Sequence, residues 1–375
     1  MPLPTIDPAR YDAELAAKVE RFRHDFAPFD LPEPNVLASA PSHYRLRAEF
    51  RIWHHRTEDG REDLDYAMFD PDHPKRPILM AEYPVACRAI CELMPRLKAA
   101  VLAQEILHRR FYAVEFLATL AGDLLVTMIY HKKLDADWET AARALADELS
   151  VGILGRSRGQ KLILDRDWVQ EELEVDGQLL RYRQLEGGFT QPNGGVNRLM
   201  LAWARHQAGQ IAAHRAPDDG NDLLELYCGN GNFTVALAPL FDRVLATEMA
   251  KTSVQAAQHN LADNGIGNTA LVRLASEEVS AALAGRETFL RLKDIDLGAF
   301  RFSTLFVDPP RSGLDPATLE LARGFAHILY ISCNPDTLRA NVAALHDSHR
   351  IAAAAAFDQF PYTHHLECGL LLVRR

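Results

Sequence analysis

A cysteine sits at the end of an apolar run in HILYISCNPDTLRANV, where it can act as a nucleophile. A lone cysteine is by default a packing residue. Cys333, however, follows a strand pattern and precedes a helix beginning near Asp336, in a loop closed by Asn334 and Pro335. In a βαβ fold that position is the ligand-binding end of the sheet. A helix N-terminus and any nearby cation would favour its thiolate, the reactive form. A partner of the right type lies near the C-terminus, in FDQFPYTHHLECGLLLV. There Glu367, beside Leu366 and Leu370, is placed for partial desolvation, which raises a carboxyl pKa toward the range of a general base. The neighbouring His364 and His365 read as a surface loop, and no other Cys/His cluster supplies ligands, so no metal is expected. Cys87, Cys91, Cys228 and Cys368 fall on helix, turn or strand patterns and read as packing residues.

Two further stretches suit ligand binding. LLELYCGNGNFTVALA is a buried strand, a glycine turn and a helix, with Gly229 and Gly231 free to adopt positive φ. A second strand, RVLATE, ends on Glu248, placed to accept hydrogen bonds from the ribose hydroxyls of an adenine nucleoside. The dinucleotide fingerprint is broken by Phe233 and Thr234 after Gly231-Asn232. The stretch instead resembles the first motif of Rossmann-like methyltransferases, whose ligand carries no phosphate. S-adenosylmethionine is therefore the expected cofactor, with Tyr227 and Asn232 flanking its methionine and ribose portion. TLFVDPPRSGLD puts Asp308 at a strand end before two prolines that stiffen the loop. It is similar to the D/N-P-P-Y/F motif of amino-group methyltransferases, but Arg311 replaces the aromatic residue. That departure points away from exocyclic amines.

These residues need a scaffold, and its pattern is legible. From Asn221 onward short apolar strands (LLELY, RVLATE, TALVRL, TLFVD, HILYIS, GLLLV) alternate with helical stretches. The fold class expected is α/β, with a C-terminal Rossmann-like methyltransferase domain over residues 191–375. Residues 36–190 mix alternating strands such as YRLRAEFRIW with the amphipathic helix VACRAICELMPRLKAAVLAQEIL, which predicts an α+β domain. Residues 1–35 read as an accessory helix. A chain of 375 residues, 48% hydrophobic and 25% charged, is long enough for two cored domains. No run is long enough to cross a bilayer and no secretory signal is legible. Five irregularly spaced cysteines make no disulfide framework, so the cytoplasm is the expected location. The net charge of -10 argues mildly against nucleic acid, yet a local basic face can sit on an acidic protein. Arg45, Arg47 and Arg51 fall at near-alternate positions of one strand, and His131-Lys132-Lys133 end another.

Taken together, ELYCGNGNF, DPPRSGLD, SCNP and H-H-x-E, in this order and spacing, resemble the RNA uracil-C5 methyltransferase family across the second half of the chain. RAEFRIW and IYHKKL extend the similarity to its tRNA-directed branch, which makes ribothymidine in the T-loop. The resemblance implies S-adenosylmethionine-dependent methylation of uracil C5 in the tRNA T-arm, or in tRNA-like RNAs, by a monomer. Cys333 would add to C6 and Glu367 would remove the C5 proton. FTQPN matches as well and implies that Gln191 contacts the cofactor. Asp308 and Arg311 would bind base or cofactor, and Tyr112 and His131 would stack where the target base has flipped out. The ribosomal-RNA members generally add an N-terminal oligonucleotide-binding barrel or an iron–sulfur cysteine cluster, and this chain begins with neither, so no iron–sulfur centre is expected. The competing readings are ribosomal-RNA uracil methylation, a non-covalent amino-group methyltransferase with no use for Cys333, and an RNA-binding protein with a vestigial cofactor fold.

Overall fold

Successive residues of the strand Asp222–Leu226 face opposite cores: Leu223 joins one apolar cluster, Leu224 and Leu226 the other. The same alternation separates Phe306 from Leu305 and Val307, and Leu329 from Ile328 and Tyr330. A sheet buried on both faces needs such uninterrupted apolar strands, and each leucine or phenylalanine so buried contributes about 1.5–3 kcal/mol. These features belong to a computed structural model, which describes residues 6–70, 73, 76–216 and 220–375.

The chain divides into two units, one comprising Met1–Pro8, Ala40–Glu172 and Gln184–Gly194, the other Ala9–Ser39, Leu173–Arg183 and Gly195–Arg375. The second unit holds an eight-stranded sheet. Its strands Asp222–Leu226, Arg243–Thr247, Thr269–Val272, Phe302–Val307 and His327–Ser332 pair in parallel. The last strand, Glu367–Arg374, runs antiparallel between His327–Ser332 and His349–Phe357. The helix Tyr11–Phe26 covers one face of this sheet through Tyr11, Leu15, Val19, Phe22 and Phe26, a spacing that keeps all five on one side of a helix. The helix Gly194–His214 covers the other through Val196, Met200, Leu201 and Trp203. The opening helix, expected to be a separate accessory element, is thus part of the second unit.

The first unit is α+β. Its seven-stranded sheet runs in the order Pro77–Leu79, Glu62–Phe69, Arg47–Arg56, Phe111–Ala118, Leu124–Tyr130, Gly152–Ser157, Gln160–Ile163. Every pair is antiparallel except Leu124–Tyr130 with Gly152–Ser157, which the helix Ala136–Leu149 connects. Gly155 is required there, since a Cβ would lie 2.4 Å from Trp138 Cη2. The strand Arg47–Arg56, third in this order, buries Ala48, Phe50 and Ile52 and leaves Glu49, Arg51 and Trp53 exposed.

Candidate active site

Strand register assembles the chemistry of the second unit. Val307 pairs with Leu226 on one side and with Tyr330 on the other, so Asp308 leaves the sheet beside Tyr227. Antiparallel pairing of Ser332 with Cys368, carried one step further, sets Cys333 opposite Glu367. The two residues expected to act together thus meet, although 34 positions separate them in the chain.

Their electrostatics differ in part from expectation. Glu367 is buried, and burial, with the neighbouring charge of Asp308, pushes its carboxyl up to about 8. Burial likewise pushes Asp308 to about 7. Cys333, expected to have a favoured thiolate, goes the other way. Burial, then the carboxylates of Glu367 and Asp308, raise its thiol to about 11, with Arg311 opposing them. Two carboxylates close to the sulfur outweigh the exposed guanidinium, whose field water screens.

The loop carrying Asp308 and Arg311 is clamped to the loop carrying Cys333. Asn334 Nδ2 donates to the Arg311 carbonyl at 2.9 Å, and Thr337 Oγ1 donates to the same oxygen at 3.2 Å. Buried Asn341 accepts from the Leu314 backbone N–H at 2.9 Å and from the Tyr330 hydroxyl at 2.8 Å. Gly313, at φ +75°, leaves room for this clamp: a Cβ there would meet Asn341 Oδ1 at 2.7 Å. Arg311 Nη2 lies 3.2 Å from His365 Nδ1, and the His365 ring lies 4.1 Å from that of His364.

Beside this centre a cavity of about 270 Å³ opens at the carboxyl ends of the strands, lined by Tyr227, Glu248, Leu274, Ser276, Pro310 and Asp315 among others. Tyr227 holds a left-handed φ of 61°, a strained conformation for a tyrosine. Its hydroxyl donates to Ser276 Oγ at 2.8 Å. Glu248 accepts from the N–H of Gly229 at 3.1 Å and from that of Ala250 at 2.7 Å, so it fixes the glycine turn as well as facing the cavity. The lining carries three carboxylates (Glu248, Glu277 and Asp315) and, among the described residues, no lysine or arginine. A pyrophosphate would be repelled, whereas a nucleoside bearing a sulfonium and an ammonium fits this charge. Asn232, expected beside the cofactor, exchanges two 2.9 Å hydrogen bonds between its amide and that of Asn197. Gln191 belongs to the first unit. Ser276, Asp315, Asn334 and Asn341 were not legible as site residues; only the capping residue types of Asp315 and Asn334, each before a proline, hinted at helix starts. Cys228, inside the cofactor turn, is buried and its thiol is raised well above the usual value by burial.

In the first unit the structure stacks three expected RNA-binding side chains. Arg51 lies 3.7 Å over the Tyr112 ring, and Tyr112 and His131 stack with centroids 3.6 Å apart. The other two arginines are placed differently. Arg45 precedes the strand and donates from Nε to the Arg47 carbonyl, while half-buried Arg47 donates to the Gly188 carbonyl at 2.9 Å.

The two-faced sheet with its antiparallel final strand, and the acidic cavity at its carboxyl edge, define a Rossmann-like S-adenosylmethionine-dependent methyltransferase. The sequence model of the tRNA (uracil-5-)-methyltransferase family matches residues 10–375, and the chain belongs to that family. A tRNA/tmRNA (uracil-C(5))-methyltransferase of Aromatoleum aromaticum is 63% identical over 375 residues, covering 100% of this chain and 98% of the relative. A protein of the same description from Dechloromonas aromatica is also 63% identical, with both chains fully covered. Among solved structures, the tRNA (uracil-54, C5)-methyltransferase of Pyrococcus abyssi in complex with S-adenosyl-L-homocysteine shares the fold at 20% identity. Its TM-score is 0.69, over 97% of this chain and 83% of that one.

Proposed function

We propose that this protein methylates C5 of a uridine in the T-loop of tRNA, and of tRNA-like arms in other RNAs, through a transient bond between Cys333 and uracil C6. The observation that carries the reading is that the ladder ending at Ser332–Cys368 brings Glu367 close enough to Cys333 for its charge, with those of Asp308 and Arg311, to act on the thiol. The coarser activity rests on family membership.

Uracil C5 is a weak nucleophile and must be activated. Cys333 gives up its proton to water, its sulfur bonds to C6, and the C5–C6 π pair moves into the ring as an enolate. Arg311, the cation that opposes the two carboxylates at the sulfur, supports both the thiolate and the enolate. S-adenosylmethionine, when bound, supplies an electrophilic methyl group that the enolate carbon takes. Glu367, in the ionised form that grows as pH rises toward its raised pKa of about 8, then removes the C5 proton. The freed pair re-forms the double bond and expels the Cys333 sulfur. In the first unit, the stack of Arg51, Tyr112 and His131 suits the bases of an opened loop. The proposed acting form is a monomer in the cytoplasm; all five cysteines are free thiols.

The test uses a tRNA transcript and methyl-labelled S-adenosylmethionine. Wild type should place label on a T-loop uridine, located by nuclease mapping. Cys333→Ala should give neither product nor a denaturant-stable adduct, and Glu367→Gln should accumulate a methylated adduct. Turnover by Cys333→Ala would sink the covalent mechanism; label outside the T-loop would sink the assigned position.

A further inference from the structure

The first unit has a second concave feature, formed where the loop after strand Leu124–Tyr130 meets the turn between Gly152–Ser157 and Gln160–Ile163. This cleft of about 690 Å³ is lined by His131, Lys133, Ser157, Arg158, Gly159 and Gln160 together with Tyr130 and Lys132. Its walls are tied together. The Gln160 side-chain oxygen accepts from the Leu134 backbone N–H at 3.0 Å, and its amide donates to the Leu134 carbonyl at 2.8 Å. One glutamine thereby satisfies both polar groups of the opposite loop, so the cleft exists before any ligand arrives.

The cations around it fall into two groups. Arg156 and Lys161, on the strands flanking the turn, are neutralised by Glu186, and Lys161 also by Asp167. Lys132 is engaged by neighbours, donating to the Ile106 carbonyl at 2.6 Å with its ammonium 5.3 Å from the Tyr130 ring centre. Asp135, an acid close by in sequence, is occupied as the cap of helix Ala136–Leu149, accepting from Trp138 N–H. Lys133 and Arg158 remain: both are exposed, and neither has an acidic partner among the described residues. On a chain of net charge -10, two uncompensated cations in a preformed cleft mark a place for an anion.

We infer that this cleft is a phosphate-binding subsite for the RNA backbone, with Lys133 and Arg158 as its cations and Ser157 as a neutral donor. The choice of RNA over an acidic protein segment rests on His131. That ring lines the cleft and also stacks on Tyr112, beneath Arg51. A stacking surface continuous with a cationic cleft matches a polymer with bases on one side and phosphates on the other. An acidic peptide has use for the cations alone. The inference rests on the proposed RNA substrate and extends it to contacts outside the flipped base.

The experiment measures binding of a tRNA transcript to the full chain across a potassium chloride series. Lys133→Ala with Arg158→Ala should weaken binding on the order of tenfold and reduce the slope of log Kd against log salt by about 1–2. The exchange Lys133→Arg with Arg158→Lys should restore both, and S-adenosylmethionine affinity by calorimetry should match wild type in every variant. An unchanged Kd and slope in the alanine pair would overturn the inference. So would a loss without a salt component, or one that the charge-preserving pair does not rescue, because either means a structural role. Equal competition by a poly-glutamate peptide at the cleft would overturn the assignment to RNA. Wild-type methylation of the same transcript, read in parallel, tests the substrate reading separately.

Discussion

Replacing Glu367 by glutamine should stall the reaction and at the same time stabilise the fold, with a defined pH signature. Burial moves this carboxyl from 4.5 to about 8. Between those values the folded protein holds a proton that the unfolded chain has lost. Stability therefore falls as pH rises through the window, at about 1.4 kcal/mol per pH unit. Below pH 4.5 both states are protonated and the penalty vanishes; above about pH 8 it is fully present. Glutamine keeps the shape and removes the titration. The advantage of Glu367→Gln over wild type should therefore grow by about 2–3 kcal/mol between pH 6 and pH 8.5. Any cost of seating the amide is the same at both pH values and cancels, as do the titrations of groups that do not feel the Glu367 charge. Asp308 and Cys333, which do, are relieved in the variant in the same direction, toward a larger advantage at high pH. Urea denaturation of the unit that contains Glu367, run at both pH values on both proteins, measures the difference. A difference independent of pH, or one that shrinks at pH 8.5, would refute the argument that Glu367 is held protonated by its surroundings.

Two other perturbations test the scaffold. Glu248→Ala removes the acceptor for the Gly229 and Ala250 N–H groups and the cavity's strand-end carboxylate. It should weaken S-adenosylmethionine binding by about 1–3 kcal/mol, and calorimetry that finds wild-type affinity would remove Glu248 from the cofactor site. Lys18→Met strips the buried Asp358 of its cation, now 2.7 Å away, and frees the Phe360 carbonyl 2.9 Å from Lys18 Nζ. The fold should lose about 3–5 kcal/mol and recover part of it when Asp358→Asn is added; a single variant that melts like wild type contradicts the role of this pair.

The cofactor and nucleophile loops were legible because each is a local pattern, an apolar strand ending in a residue of defined chemistry before a helix start. The segment His349–Phe357 was not. Its sequence, HRIAAAAAF, has high helix propensity, yet it forms a strand. It lies between Asn35–Leu37 and the final strand, and two sets of ladder hydrogen bonds outweigh a few tenths of a kcal/mol per alanine. Gly369 on the final strand allows this close fit, since a Cβ there would lie 2.8 Å from the Phe357 ring.

By itself the sequence determined the order of strands and helices and which groups the proposed chemistry can draw on: the cysteine and glutamate at strand ends, and the acid after the second strand. Tertiary structure alone decided their protonation and their company. Burial raises the Cys333 thiol, and Glu367 and Asp308, which strand pairing delivers from distant parts of the chain, push it further the same way. The fates of Arg47, tied to the Gly188 carbonyl, and of Lys133, left unpaired in its cleft, depend on which neighbour each meets across the fold. A pKa or an ion pair is set by distance and burial, and chain order encodes neither until the sheet has closed.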